Sequence, residues 1–253
     1  MSIKKFAINN ISSMAKYFGY EIISRWRVKE FPLTSHLRSL FEKYQIDVVI
    51  DVGANTGQFR DLLRNEVGFK GRILSFEPVK GFANQIKARS KSDNAWHVYD
   101  CALGRTPGEA KINVAKVPGL TSFLASRADE LTGLWKEDSV THTEMVQIRT
   151  LDDVLDEIKI DCERQRVYLK LDTQGFDLEV IKGAAKSMEH IIALQTEASI
   201  KPIYEGMPGY REALDNLAQL GFAISGMFPV TYDENMCLIE FDCVQINSRF
   251  LGR

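Results

Sequence analysis

The chain has 253 residues, 45% of them hydrophobic, and a formal net charge of −2. That length fits one large domain, or one domain with an extension, and buries roughly 75% of its unfolded surface, so the core needs no disulfide or metal staple. The charge balance gives no electrostatic case for a nucleic-acid partner, and no apolar run reaches the ~18 residues of a transmembrane helix.

Residues 1–44 form a predicted helical extension ahead of a domain spanning 45–253. Ala7, Ile11, Met14, Phe18 and Ile22 recur at spacings of three and four, an amphipathic helical pattern. Its flanks are basic, with six Lys or Arg against two Glu over residues 1–30. The narrow apolar stripe reads as a helical cover packed on the domain; a weak peripheral contact with a membrane surface is the other reading. A second helix is expected over Ser35–Lys43. Cys101, Cys162, Cys237 and Cys243 form no CxxC pair, which fits reduced thiols in a cytoplasmic protein.

From residue 46 strands and helices alternate. The predicted strands are Ile46–Val52, Arg72–Glu77, Trp96–Ala102, Val167–Asp172, Ile191–Thr196, Phe222–Met227 and Leu238–Ile246. The predicted helices are Gly57–Asn65, Lys80–Ser90, Leu151–Ile158, Asp177–Met188 and Tyr210–Leu220. This order predicts an α/β fold, a doubly wound and mostly parallel sheet, ending in an antiparallel hairpin because no helix separates the last two strands. Residues 104–150 break the alternation, with extra strands expected at Ala110–Ala115 and Met145–Arg149 around an irregular loop.

The chemistry gathers where the strands end. Val48–Val52 runs into Asp51-Val52-Gly53-Ala54-Asn55-Thr56-Gly57, a strand tip followed by a G-x-x-x-G turn at a helix start. Such a turn binds a nucleotide in an open α/β sheet. A dinucleotide site wants G-x-G-x-x-G, but Asn55 stands where the second glycine would be, and Asp51 puts negative charge beside any phosphate. S-adenosylmethionine (SAM) carries an ammonium and a sulfonium and no phosphate, so a carboxylate attracts it. Glu77, 20 residues after Gly57, is placed to accept the ribose hydroxyls. Asp100 and Ala102 end the third strand, where a carboxylate and a backbone amide can meet the adenine edge. Asp172 ends the strand across the switch point and is expected near the methionine end of the donor. Methyl transfer to a hydroxyl needs a base, and Glu197 and His142 are the candidates. Lys170 and Lys182 read as solvated or snorkelling, and Thr121-Ser122-Phe123 and Tyr204-Glu205-Gly206 as acceptor-pocket loops or loop anchors. His36, His97 and His190 are scattered and suggest no metal site.

These pieces resemble the FkbM-type SAM-dependent methyltransferases over about residues 46–246. The resemblance rests on Asp51-Val-Gly-Ala-Asn-Thr-Gly57-Gln-Phe, Phe76-Glu77-Pro78, Ala102-Leu103-Gly104, Leu169-Lys-Leu-Asp172-Thr-Gln-Gly175 with Lys182-Gly183-Ala184, and Gln195-Thr-Glu197. It implies a Rossmann-like class I methyltransferase fold, SAM as donor, and O-methylation of a small-molecule or glycan acceptor such as a sugar, glycolipid, polysaccharide or natural product. It also implies that Asp51, Gly53, Asn55, Gly57 and Glu77 bind the donor and that Asp172 lies beside the reacting centre. Asp177 departs from the family, which often has Glu there. Two other classes compete: an NAD-dependent oxidoreductase, which would need a tighter glycine fingerprint, and a non-catalytic interaction module of the same fold. A nucleic-acid methyltransferase would show a basic face or an Asn-Pro-Pro-Tyr-like motif, and neither is present.

Overall fold

A computed structural model describes residues 14–15, 17–20, 22–127 and 140–252. The main sheet has seven strands: β1 (Val48–Val52), β2 (Arg72–Phe76), β3 (Trp96–Tyr99), β7 (Val167–Leu171), β8 (Ala193–Ser199), β9 (Phe222–Tyr232) and β10 (Leu238–Asn247). Their spatial order is β3-β2-β1-β7-β8-β10-β9. The first five run parallel, and β10 enters antiparallel between β8 and β9. A second sheet holds β4 (Ala102–Leu103), β5 (Gly108–Ala115) and β6 (Val140–Arg149) in the order β4-β6-β5.

β1 and β7 are buried at every residue, as the central strands of a sheet covered on both faces must be. Alternation splits β1 between two cores. Val48, Ile50 and Val52 pack with Leu74, Phe76, Leu103, Leu155 and Leu169 on one face. Val49 packs on the other with Phe59, Leu63, Ile73 and Tyr168, under Leu37, Leu40 and Phe41 of α1 (Phe31–Tyr44). Pro32 at the start of α1 and the left-handed Gln45 at its end set its limits. The helix is thus one turn longer at its N-terminus than the Ser35–Lys43 expected. α2 (Gln58–Leu62) continues into a π turn over Leu63–Val67. α3 (Lys80–Ser90) and α4 (Leu151–Ile158) fall on the predicted residues. Thr150 caps α4, its hydroxyl accepting from the Asp153 N–H at 3.1 Å.

Three predicted elements change. The strand expected over Trp96–Ala102 divides, because β2 ends at Phe76 opposite Tyr99 and offers no further partner; Ala102 and Leu103 pair with Ile148 and Arg149 instead. The helix expected over Asp177–Met188 stops as α5 (Asp177–Lys182). A Cβ at Gly183 would lie 2.0 Å from the Gly104 carbonyl oxygen, so the chain passes too close for any larger residue. Beyond it the Asp152 carboxylate takes the Lys186 and Ser187 N–H groups, competing with helical bonds. The strand ending at Thr196 in the sequence reading runs on to Ser199, which puts Glu197 inside β8. α6 (Tyr210–Gln219) precedes the terminal hairpin.

Ala7 and Ile11 lie outside the described residues. Met14, Phe18 and Ile22 are 62%, 66% and 52% exposed, so this part of the stripe is not packed on the domain as expected. No helix among the described residues is long and apolar enough to cross a membrane.

Candidate active site

The strand tips build a crevice on one face and a cleft on the other, and Asp172 lines both. The crevice and its opening to solvent span about 600 Å³. Its floor is the turn after β1, where the Gly53 and Ala54 N–H groups both donate to the Phe76 carbonyl. Gly53 has φ 79°, and a Cβ there would sit 1.9 Å from the Asp172 carbonyl oxygen. Only glycine lets the tips of β1 and β7 meet this closely.

Glu77 lies at the crevice wall, buried, with Oε2 accepting from the Asn55 N–H at 2.7 Å and Oε1 from the Val79 N–H at 2.9 Å. Burial pushes its carboxyl up to about 7, against the pull of those two N–H groups. Asn55 is left-handed at φ 49°, and its buried Oδ1 has no hydrogen-bond partner among the described residues. Ala102 lines the crevice, in a wall made apolar by Phe76, Leu103, Ile112 and Phe123. A carboxylate with free lone pairs, an orphaned amide oxygen and an apolar slot match a ribose, a polar donor group and a purine ring. The crevice therefore fits SAM.

Other expected residues lie elsewhere. Gly57 does not line the crevice; at φ 88° it starts α2, and a Cβ there would press on Arg89 and Trp96 at 3.0–3.2 Å. Asp100 points out, 63% exposed and paired with Lys87 at 2.8 Å, while Cys101 takes the crevice position. The break of the strand after Tyr99 turns it away. Asp51 is fully buried and does not face the crevice. It shares the α1 face with Val49, and its Oδ2 accepts from Ser75 Oγ at 3.0 Å. His142 stands on β6 rather than in a loop over the site, 55% exposed and 3.1 Å from Glu144. Thr121 and Phe123 wall the crevice rather than the cleft.

Register creates a polar row that periodicity does not reveal. Ser75, Asp51, Lys170 and Gln195 stand side by side across β2, β1, β7 and β8. Lys170 is buried, not solvated, with Nζ 2.9 Å from Asp172 Oδ2 and 3.7 Å from Asp51 Oδ1. Its two carboxylates raise its pKa despite desolvation. Asp51 is pushed up by burial, which outweighs Lys170 and the Ser75 hydroxyl. One level further along, Glu197 of β8 faces Asp242 of β10 directly. Burial and the neighbouring carboxylates Asp172, Glu240, Asp242 and Asp177 hold Glu197 well above the ordinary range. Burial likewise lifts Asp242 to about 6.

The open cleft on this face spans about 1090 Å³ including its solvent mouth, with Asp172, Glu197 and Asp242 at its base, Phe59 on one side and Glu30 and Leu33 from the N-terminal region on another. Asp177 is not free to act in it: its Oδ1 closes the turn by accepting from the Thr173 N–H and hydroxyl, and its carboxyl is raised by burial to about 6. Two further residues stand here without a signal in the sequence pattern: Gln174, which lines the crevice, and Asp242 in the cleft. Gln174 stands inside the Leu169–Gly175 motif but had no role there; nothing in the alternation of β10 distinguishes Asp242 from a solvent-facing residue.

A parallel sheet with an inserted antiparallel seventh strand, a glycine turn after β1 and an acid after β2 define a class I SAM-dependent methyltransferase. The FkbM methyltransferase domain matches residues 51–224, and the chain belongs to that family; SAM is its cofactor. Among solved structures the chain is similar to magnesium protoporphyrin IX methyltransferase from Synechocystis PCC 6803 with bound SAM, at 10% identity over 98% of each chain and TM-score 0.45. It is also similar to precorrin-6y C5,15-methyltransferase from Geobacter metallireducens GS-15, at 11% identity over 83% of this chain and 86% of that one, TM-score 0.42. An rRNA methylase from Streptococcus thermophilus shares 10% identity over 89% of this chain and 98% of that one, TM-score 0.44. No curated protein matches the chain significantly in sequence.

Proposed function

We propose that this methyltransferase acts on a hydroxyl of a polyhydroxylated acceptor, a sugar, glycan or glycosylated natural product. The observation that carries the reading is the position of Asp172, shared by the donor crevice and a cleft whose base is Asp172, Glu197 and Asp242. Carboxyl groups accept hydrogen bonds when ionised and also donate when protonated, so a cleft lined with them is suited to a ligand rich in hydroxyl groups. Phe59 and Leu62 add apolar surface to the cleft wall.

Bound SAM supplies an electrophilic methyl group on a sulfonium. Glu77 would accept the ribose hydroxyls and Asn55 Oδ1 would take a donor of the same ligand, while the bare Gly53 lets the Asp172 end of β7 close against the turn that holds them. Glu197 would accept the proton that the acceptor's hydroxyl loses. Its elevated pKa makes it the stronger base once ionised. Most of the rate comes from alignment of the hydroxyl with the methyl, for which effective molarities of roughly 10⁵–10⁸ M are available. Asp172 and Lys170 form a fixed ion pair beside that point.

Incubation of the protein with SAM and a carbohydrate panel tests the reading by mass spectrometry. The expected product is an acceptor heavier by one methyl group on oxygen, with S-adenosylhomocysteine in equal amount. Methyl found instead on nitrogen, on carbon or on a nucleic acid refutes it.

A further inference from the structure

Gln174 occupies the left-handed region at φ 52°, beside Gly175 at φ 94°. Glycine is the easy residue for that backbone, so a long polar side chain held there points to a use for the side chain. Its Nε2 donates to Glu197 Oε2 at 2.8 Å and to Asp172 Oδ1 at 3.2 Å. Its Oε1 faces the Tyr204 hydroxyl at 3.3 Å, a hydroxyl that also reaches the Leu120 carbonyl at 2.9 Å. Its backbone carbonyl accepts from Ser122 Oγ at 2.7 Å. The two acids fix the amide's orientation, since the flipped amide would turn its oxygen onto both carboxylates.

Two carboxylates, one just past the end of β7 and one within the adjacent β8, repel each other. A neutral group with two N–H donors holds both without adding charge. The surroundings make that device necessary. Lys170 on β7 reaches Asp172 but not Glu197, while Asp177 of α5 and Glu240 and Asp242 of β10 add negative charge to Glu197. Glu30 and Asp61 face the pair across the cleft.

We propose that Gln174 is a positioning residue. Its amide holds Asp172 and Glu197 at a set spacing where the crevice meets the cleft, and Ser122 and Tyr204 tie that spacing to the segment walling the donor side. That the pair serves methyl transfer rests on the function proposed above; the clamp does not.

Carboxyl ¹³C NMR titrations of the full-length chain test it, with Glu197→Gln and Asp172→Asn spectra giving the assignments. In Gln174→Met the ionised Glu197 loses its donor, and its titration midpoint rises by about one pH unit. Gln174→Gly gives the same rise while relieving the left-handed backbone, so its melting temperature stays level or increases. Tyr204→Phe gives a smaller rise in the same direction, because the amide loses one of its restraints. A Glu197 midpoint unmoved in Gln174→Gly overturns the proposal, whatever happens to the melting temperature. The titration needs neither donor nor acceptor. A flat result therefore sinks the clamp alone, and failure of the wild type to bind S-adenosylhomocysteine sinks the methyl-transfer reading alone.

Discussion

Replacing Glu77 by Gln should weaken S-adenosylhomocysteine binding and remove its pH dependence. In the folded protein the carboxyl sits at about 7, against an ordinary value near 4.5. Between those values the native state holds a proton that the unfolded chain has released. Stability contributed by the neutral acid is present below the lower value and lost as pH rises through the higher one, about 3 kcal/mol in all. If Glu77 holds the ribose as proposed, the hydroxyls donate to its ionised form, and the ligand selects the state that the empty fold disfavours near neutrality. Wild-type affinity should therefore fall as pH drops below about 7, approaching tenfold per pH unit. Gln keeps one acceptor oxygen, but its amide turns a donor toward the N–H of Asn55 or Val79, both of which Glu77 now satisfies. Loss of one charge-assisted hydrogen bond, about 1.5–3 kcal/mol, weakens binding about 10- to 150-fold at pH 8. Isothermal calorimetry from pH 5.5 to 8.5 reads both effects. Equal affinities at pH 8, or a pH slope that survives in the variant, would refute the reasoning.

Gly53→Ala drives a methyl group into the Asp172 carbonyl at a left-handed position and should cost on the order of 3–5 kcal/mol in urea denaturation; a loss under 1 kcal/mol would contradict the close approach of β1 and β7. Lys170→Met leaves Asp51 buried without its cation and should cost about 3–5 kcal/mol, and Asp51→Asn added to it should recover part of that. A double-mutant cycle showing no coupling would remove the pair from the account. His142→Ala, on an exposed strand face, should change stability by less than about 0.5 kcal/mol and leave methyl-transfer turnover as it was; turnover lost with S-adenosylhomocysteine binding intact would restore His142 as a base.

Local pattern decided a large part of this protein. The apolar runs Val48–Val52 and Val167–Leu171 announced central strands because a sheet covered on both faces leaves no polar side. Those runs and Arg72–Phe76, read to their ends, put Gly53, Asn55, Glu77 and Asp172 at strand tips, where ligands bind in a parallel sheet. Pattern failed where a residue's fate depended on its neighbour across the sheet. Asp100 left the site because β2 ends opposite Tyr99, a fact of strand pairing and not of either strand's composition. Lys170 looked like a surface lysine until register set it between Asp51 and Gln195. Glu197 became one of a facing pair only when β10 was laid against β8. Periodicity says which face of its own strand a residue takes; which partner stands opposite is settled by register across segments far apart in the chain, and the charge state and the cleft of this enzyme follow from that.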